Sequence, residues 1–149
     1  ILKGRCSYIL NNHKVFYRQA IELTKKDKIE FHDNYDKNLE TIRILRRKYG
    51  ITHDDVIDEV KDLILNLKIE DYYQGPDNDD NPDRNYIFWK FGKKLFGSEE
   101  LYIKLQIEEI GEEKLICWSF HYPERPLNTK ESGGVNMRDY ENTEIVEKE

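Results

Sequence analysis

Long apolar runs are missing from this chain. The longest are four residues, Tyr86 to Trp89 and Leu115 to Trp118, far short of the roughly 20 apolar residues that a membrane-spanning helix needs. The expectation is a soluble protein with no membrane partner. Cysteine is nearly absent as well. Cys6 and Cys117 stand far apart, which offers neither a disulfide framework nor a metal knuckle, and two reduced thiols in a cytoplasmic protein are the plain reading. No internal repeat or low-complexity tract occurs. The stretch from Asp77 to Asp83 lacks the glycine and terminal glutamate of a calcium loop, so it reads as a solvated loop. His53 stands at a helix start with no companion ligand, which argues against zinc; His13 and His32 read as ordinary surface histidines. Neither a metal nor a cofactor is expected.

An excess of basic charge is also lacking, since the formal net charge is −6. The acid is unevenly spread, however. Residues 1–70 hold 14 Lys and Arg against 12 Asp and Glu, and residues 84–130 hold 8 against 7. Residues 71–83 contribute five acids and no base, and residues 131–149 six acids against two bases. A near-neutral body can therefore carry a basic patch. The length of 149 residues fits one core, and the expected organisation is a single domain over 1–130 followed by a flexible acidic tail over 131–149.

What is present is pattern. Val15, Phe16, Gln19, Ala20 and Leu23 recur at helical spacing, predicting a helix from His13 to about Lys26. The alternation from Lys28 to His32 suggests a short edge strand. A second helix is expected from about Lys37 to Tyr49, with Leu39, Ile42, Ile44, Leu45 and Tyr49 on its apolar side and Gly50 as its stop. Thr52 with Asp55 reads as a capping box opening a third helix, about His53 to Asn66, packed on the second as a hairpin. Asn85 to Phe96 reads as an aromatic-rich strand.

The segment from Leu101 to Arg125 reads as a long β-hairpin. If Gly111-Glu112 forms a two-residue turn, each opposed pair shares one sum of residue numbers. Tyr102 then faces His121, Lys104 faces Ser119 and Gln106 faces Cys117. On the apolar side Ile103 meets Phe120, Leu105 meets Trp118 and Ile107 meets Ile116. For the preceding turn, a register aligning Phe91 with Ile103, Trp89 with Leu105 and Ile87 with Ile107 buries the most apolar surface. At ~25 cal/mol per Å² burial outweighs turn preference. That register sets Lys90 opposite Lys104. The fold class that follows is α+β, with three N-terminal helices packed on a mostly antiparallel sheet.

Lys90, Tyr102, Lys104 and His121 would then share one polar surface. If the ligand is RNA, cleavage without a metal needs a group to take the 2′-hydroxyl proton, one to protonate the leaving 5′-oxygen, and a cation for the developing charge. Imidazole titrates near neutrality, so His121 suits base or acid. Lys90, Lys104 or Arg125 supplies the cation, and Tyr102 can orient a phosphate or stack on a base. The same residue types are also common neighbours across an exposed sheet face. Two readings stay open: an endoribonuclease site, or a face that binds RNA or protein without cutting it.

Four short motifs carry a resemblance: Asp71-Tyr72-Tyr73-Gln74-Gly75-Pro76, Trp89-Lys90-Phe91-Gly92-Lys93, Tyr102-Ile103-Lys104-Leu105 and Ser119-Phe120-His121. In this order and spacing the chain resembles the MqsR family of bacterial toxins, whose fold is similar to that of the RelE-type ribonucleases. The resemblance implies a RelE/MqsR-like fold and a metal-independent mRNA interferase acting on mRNA, free or on the ribosome. It also implies a cognate antitoxin that masks the toxin. By motif, it places the active polar positions at Tyr102, His121, Lys90 and Gln74. With the polar-face reading, the candidates are His121, Tyr102, Lys104 and Lys90 for catalysis and Gln74, Lys93, Lys94 and Arg125 for RNA contacts. The family prototype is read as having lysine at the place of Gln74, glutamine at that of Lys90 and lysine at that of His121, so the polar types are reshuffled within a kept frame.

Overall fold

Apolar residues at helical spacing bury one stripe of each of three helices. The computed structural model describes residues 13–78, 81, 83, 86–96 and 100–123; Arg125 and the expected tail over 131–149 lie outside them. Helix α1 (His13–Lys25) buries Phe16, Ala20 and Leu23. Helix α2 (Asp36–Tyr49) ends at Gly50, whose left-handed backbone (φ 67°) lets its N–H donate to the carbonyl of Arg46. Helix α3 (His53–Leu65) opens on the expected capping box: the N–H of Asp55 donates to Thr52 Oγ1 at 3.1 Å, and that of Thr52 to Asp55 Oδ2 at 3.0 Å. Its buried stripe is Val56, Val60, Leu63 and Ile64.

In α2 the buried stripe differs from the expected one. Asn38, Thr41, Ile42 and Leu45 face inward, whereas Leu39 and Tyr49 are 42% and 37% exposed. The helix is rotated so that Asn38 lies against the sheet, where its amide satisfies three backbone groups. The hydrogen bonds of Asn38 favour that rotation, and Ile42 and Leu45 stay buried in it.

Five strands form one mixed sheet in the order β1-β5-β4-β3-β2. They are β1 (Ile29–Phe31), β2 (Tyr72–Asn78, after a 3₁₀ turn at Ile69–Asp71), β3 (Ile87–Lys94), β4 (Glu100–Glu108) and β5 (Lys114–His121). Strand β1 runs parallel to β5, and the other pairings are antiparallel. The described residues are thus α+β, with three helices and a five-stranded mixed sheet. One sheet face carries Trp89, Phe91, Leu101, Ile103, Leu105, Leu115, Cys117 and Phe120 into the core. Phe16 of α1 stacks there on Trp89 at 5.4 Å and on Phe91 at 6.3 Å.

The β3–β4 register places Phe91 against Ile103, Trp89 against Leu105 and Lys90 against Lys104. In β4–β5 the pairs Tyr102–His121, Ile103–Phe120 and Lys104–Ser119 match the expectation. Beyond them a bulge shifts the register, so that Leu105 pairs with Cys117, Gln106 with Ile116 and Ile107 with Leu115. Trp118 is the extra residue. It leaves the core side, where Cys117 takes its place fully buried. The loop is longer than the two residues expected, because β4 ends at Glu108 and β5 begins at Lys114.

Candidate functional site

Strand alternation turns Tyr102, Lys104 and Gln106 of β4 away from the helices, and the register brings His121 and Ser119 of β5 beside them. The rings of Tyr102 and His121 are 5.2 Å apart. Tyr35, from the turn before α2, reaches His121 at 6.2 Å, and Tyr73 of β2 meets Tyr102 edge-on at 6.4 Å. His121 Nδ1 lies 3.2 Å from the carbonyl oxygen of Tyr122. A carbonyl only accepts, so this is a hydrogen bond in the forms that carry Nδ1–H. In the neutral ring that tautomer leaves Nε2 as the basic nitrogen.

Tyr102 is a phenol and not a phenolate. Burial, above all, pushes its ionisation well above the ordinary range, and negative charge on Tyr73, Asp77 and Tyr35 would push the same way. It can donate a hydrogen bond but is no base at neutral pH.

Two lysines occupy the neighbouring cross-strand row. Lys90 and Lys104 oppose each other across β3 and β4, and Gln74 pairs with Lys90 from β2. Lys90 Nζ lies 2.9 Å from Asp77 Oδ2 as an ion contact without hydrogen-bond geometry. Lys104 Nζ rests 4.1 Å above the ring of Phe88, a cation–π contact that leaves its charge on the sheet face. The structure therefore gathers His121, Tyr102, Lys104, Lys90 and Gln74 on one surface.

Lys93 is placed elsewhere. It shares the parity of Trp89 and Phe91, and its ammonium meets the buried carboxylate of Asp71 at 2.9 Å on the helix-facing side. Asp71 also accepts from the N–H of Lys68. Lys94 is exposed at the end of β3, opposite Glu100. Arg125 is outside the described residues.

Sequence reasoning missed Tyr35, Tyr73 and Asp77 as members of this face. Tyr73 lies within a motif already singled out, so a signal existed, but the irregular pairing of β2 hid its direction. It also missed a second aromatic group on the same face. Trp118 stacks on His32 at 4.7 Å, with Tyr86 at 5.8 Å and Phe88 edge-on at 6.2 Å. The indole N–H of Trp118 donates to Gln106 Oε1 at 2.7 Å.

A cleft at the opposite end of β5 is lined by Lys28, Glu30, Glu112 and Lys114. Its charges pair among themselves, Lys28 with Glu112 at 2.8 Å and Lys114 with Glu30 at 2.7 Å, and the hydrogen bond and charge of Lys28 hold the Glu112 carboxyl below its ordinary range. Those pairs leave it a weaker candidate than the Tyr102–His121 surface. Among the described residues no three His, Cys, Asp or Glu side chains come together as metal ligands, and no helix is long and apolar enough to cross a membrane. Compared with family models, curated proteins and solved structures, the chain matches none.

Proposed function

We propose that the protein is an mRNA endoribonuclease with a RelE/MqsR-like fold, a toxin held in check by a cognate antitoxin. The observation that carries this reading is the ring-to-ring placement of Tyr102 and His121 beside the cross-strand pair Lys90–Lys104 on one sheet face. The four motifs that resemble the MqsR family support it, since their polar residues supply that face. RNA lies across the strands with a phosphate near the two lysines. His121 handles one of the two protons, taking that of the 2′-hydroxyl or giving one to the departing 5′-oxygen, and solvent water handles the other. The 2′-oxygen attacks phosphorus, the bond to the 5′-oxygen breaks, and a 2′,3′-cyclic phosphate remains. Tyr102 donates a hydrogen bond to a phosphate oxygen, and the ammonium groups offset the charge that builds on it.

The test is growth and mRNA integrity after induced expression of the wild-type chain and of His121→Ala. Arrest and shortened mRNA with the wild type alone are expected. Equal cleavage by the variant removes His121 from the site, and intact mRNA in both removes the nuclease.

A second reading is a module that binds RNA without cutting it. The contact between Lys90 and Asp77 favours it, because a cation already offset by a carboxylate stabilises a phosphorane-like charge less well. Purified protein that retards RNA in a gel but never shortens it identifies this case.

A further inference from the structure

The solvent-side face of a sheet is normally polar, yet on and beside this one four rings and a lysine come together. Trp118 is brought out of core parity by the β5 bulge; it stacks on His32, Tyr86 lies tilted beside it, Phe88 meets it edge-on, and Lys104 sits over the Phe88 ring. His32, Tyr86 and Trp118 are each only half-buried, so each keeps part of its ring in water. The N–H of Trp118 donates to Gln106 Oε1, which favours this placement of the indole. A pre-set cluster of rings with an ammonium beside it matches two parts of one ligand. The rings offer flat faces to a base, and the cation meets the phosphate that follows it.

We infer that the cluster of His32, Trp118 and Tyr86 beside Lys104 is a base-stacking subsite for single-stranded RNA, seating a nucleotide next to the one held at Tyr102 and His121. The inference rests on the reading that this face takes RNA, and it adds where a neighbouring base goes. Lys104 is shared by the two places. It is opposite Ser119 and next to Trp118 on one side, and diagonal to His121 on the other. The subsite is indifferent to base identity, since every base has a stacking face and the bulge presents rings where a hydrogen-bonding code would need polar groups.

The chain has two tryptophans. Trp89 is 1% exposed in the core, so quenching of emission by a bound base reports on Trp118. The probe is a 2′-O-methyl RNA of about eight nucleotides, which cannot be cleaved by 2′-hydroxyl attack, compared with an abasic strand of the same length and charge. Expected are quenching by the base-bearing strand, weaker binding of the abasic strand by about 5- to 100-fold, and a similar loss in Trp118→Leu. His32→Ala removes the outer ring while leaving the Trp118–Gln106 bond, so it keeps the test valid if Trp118→Leu misfolds. It should weaken binding several-fold with unchanged circular dichroism. If base-bearing and abasic strands bind alike, or both variants bind as the wild type does, the subsite is overturned while a nuclease acting through backbone contacts survives. If the strand stacks and natural RNA is never shortened, the subsite stands and the nuclease reading falls. If no strand binds at all, both fall.

Discussion

The side-chain amide of Asn38 donates to the carbonyl oxygen of Trp118 at 3.0 Å and to that of His32 at 2.8 Å, while its own oxygen accepts from the N–H of Phe120 at 3.0 Å. One helix residue thus fastens the bulge that turns Trp118 outward. Truncation in Asn38→Ala strands a buried N–H of β5, and the expected loss is about 2–4 kcal/mol. Urea unfolding measures it. Trp118 emission in folded Asn38→Ala should also shift, because the bulge loses its anchor; a midpoint and a spectrum equal to the wild type would mean that the bulge holds itself.

Gly75 is a second fixed point, on the β2 edge. Its φ is 137°, and a Cβ there would lie 2.9 Å from the carbonyl oxygen of Phe88 and 3.1 Å from Trp89 Cα. Both neighbours are backbone and cannot yield cheaply. Gly75→Ala should cost about 2–3 kcal/mol and loosen β2, carrying Gln74 and Asp77 away from Lys90. Thermal unfolding tests the first part. The second is read from the amide exchange of β2, which should quicken relative to β4.

Lys93 and Asp71 make a structural prediction that separates this lysine from the RNA-facing ones. Asp71 is 1% exposed, so Lys93→Met leaves a buried carboxylate without its cation, with an expected loss of about 3–5 kcal/mol. The double change Lys93→Met with Asp71→Asn should recover much of it. A single variant that stays stable but loses RNA affinity would reassign Lys93 to the ligand.

Tyr102 ties stability to alkaline pH. Its folded-state pKa is raised above the ordinary value of 10.0, first by burial. The unfolded chain therefore loses this proton at lower pH than the folded one, and the contribution is full below about pH 10 and falls as pH rises beyond it. Buried Cys117, raised above 9.0 for the same reason, adds to the fall. Comparing urea midpoints at about pH 8 and about pH 11 should show a smaller drop in Tyr102→Phe than in the wild type. Equal drops would place the alkaline sensitivity in other groups.

The pairing of Tyr102 with His121 was legible in the sequence for a reason that the structure complicates. Near the loop the strands pair one residue out of the expected register, as with Leu105 and Cys117. The bulge at Trp118 then restores it, so that the far end agrees with arithmetic that fails at the near end. Burial pattern could not reveal this, because a tryptophan among apolar neighbours looks like core whichever face it takes. The helices were read closely where capping and glycine stops mark them. They were misread at Leu39 and Tyr49, because the rotation of α2 answers to the hydrogen bonds of Asn38. Lys93 was grouped with the surface cations because sequence does not show that its parity points it at Asp71.

Strand β1 has only three residues, and its partner is β5, with Ile29 beside Leu115 and Phe31 beside Cys117. During synthesis the first of the described strands waits for the last of them. Helix α1 waits too, since Phe16 packs on rings of β3. Such separations carry a loop-closure cost before any contact rewards it. The sheet can therefore close only once β5 has left the ribosomal tunnel, and the face carrying His121 does not exist before then. A chain broken off before residue 114 would hold Tyr102 and both lysines without the strand that brings His121 to them.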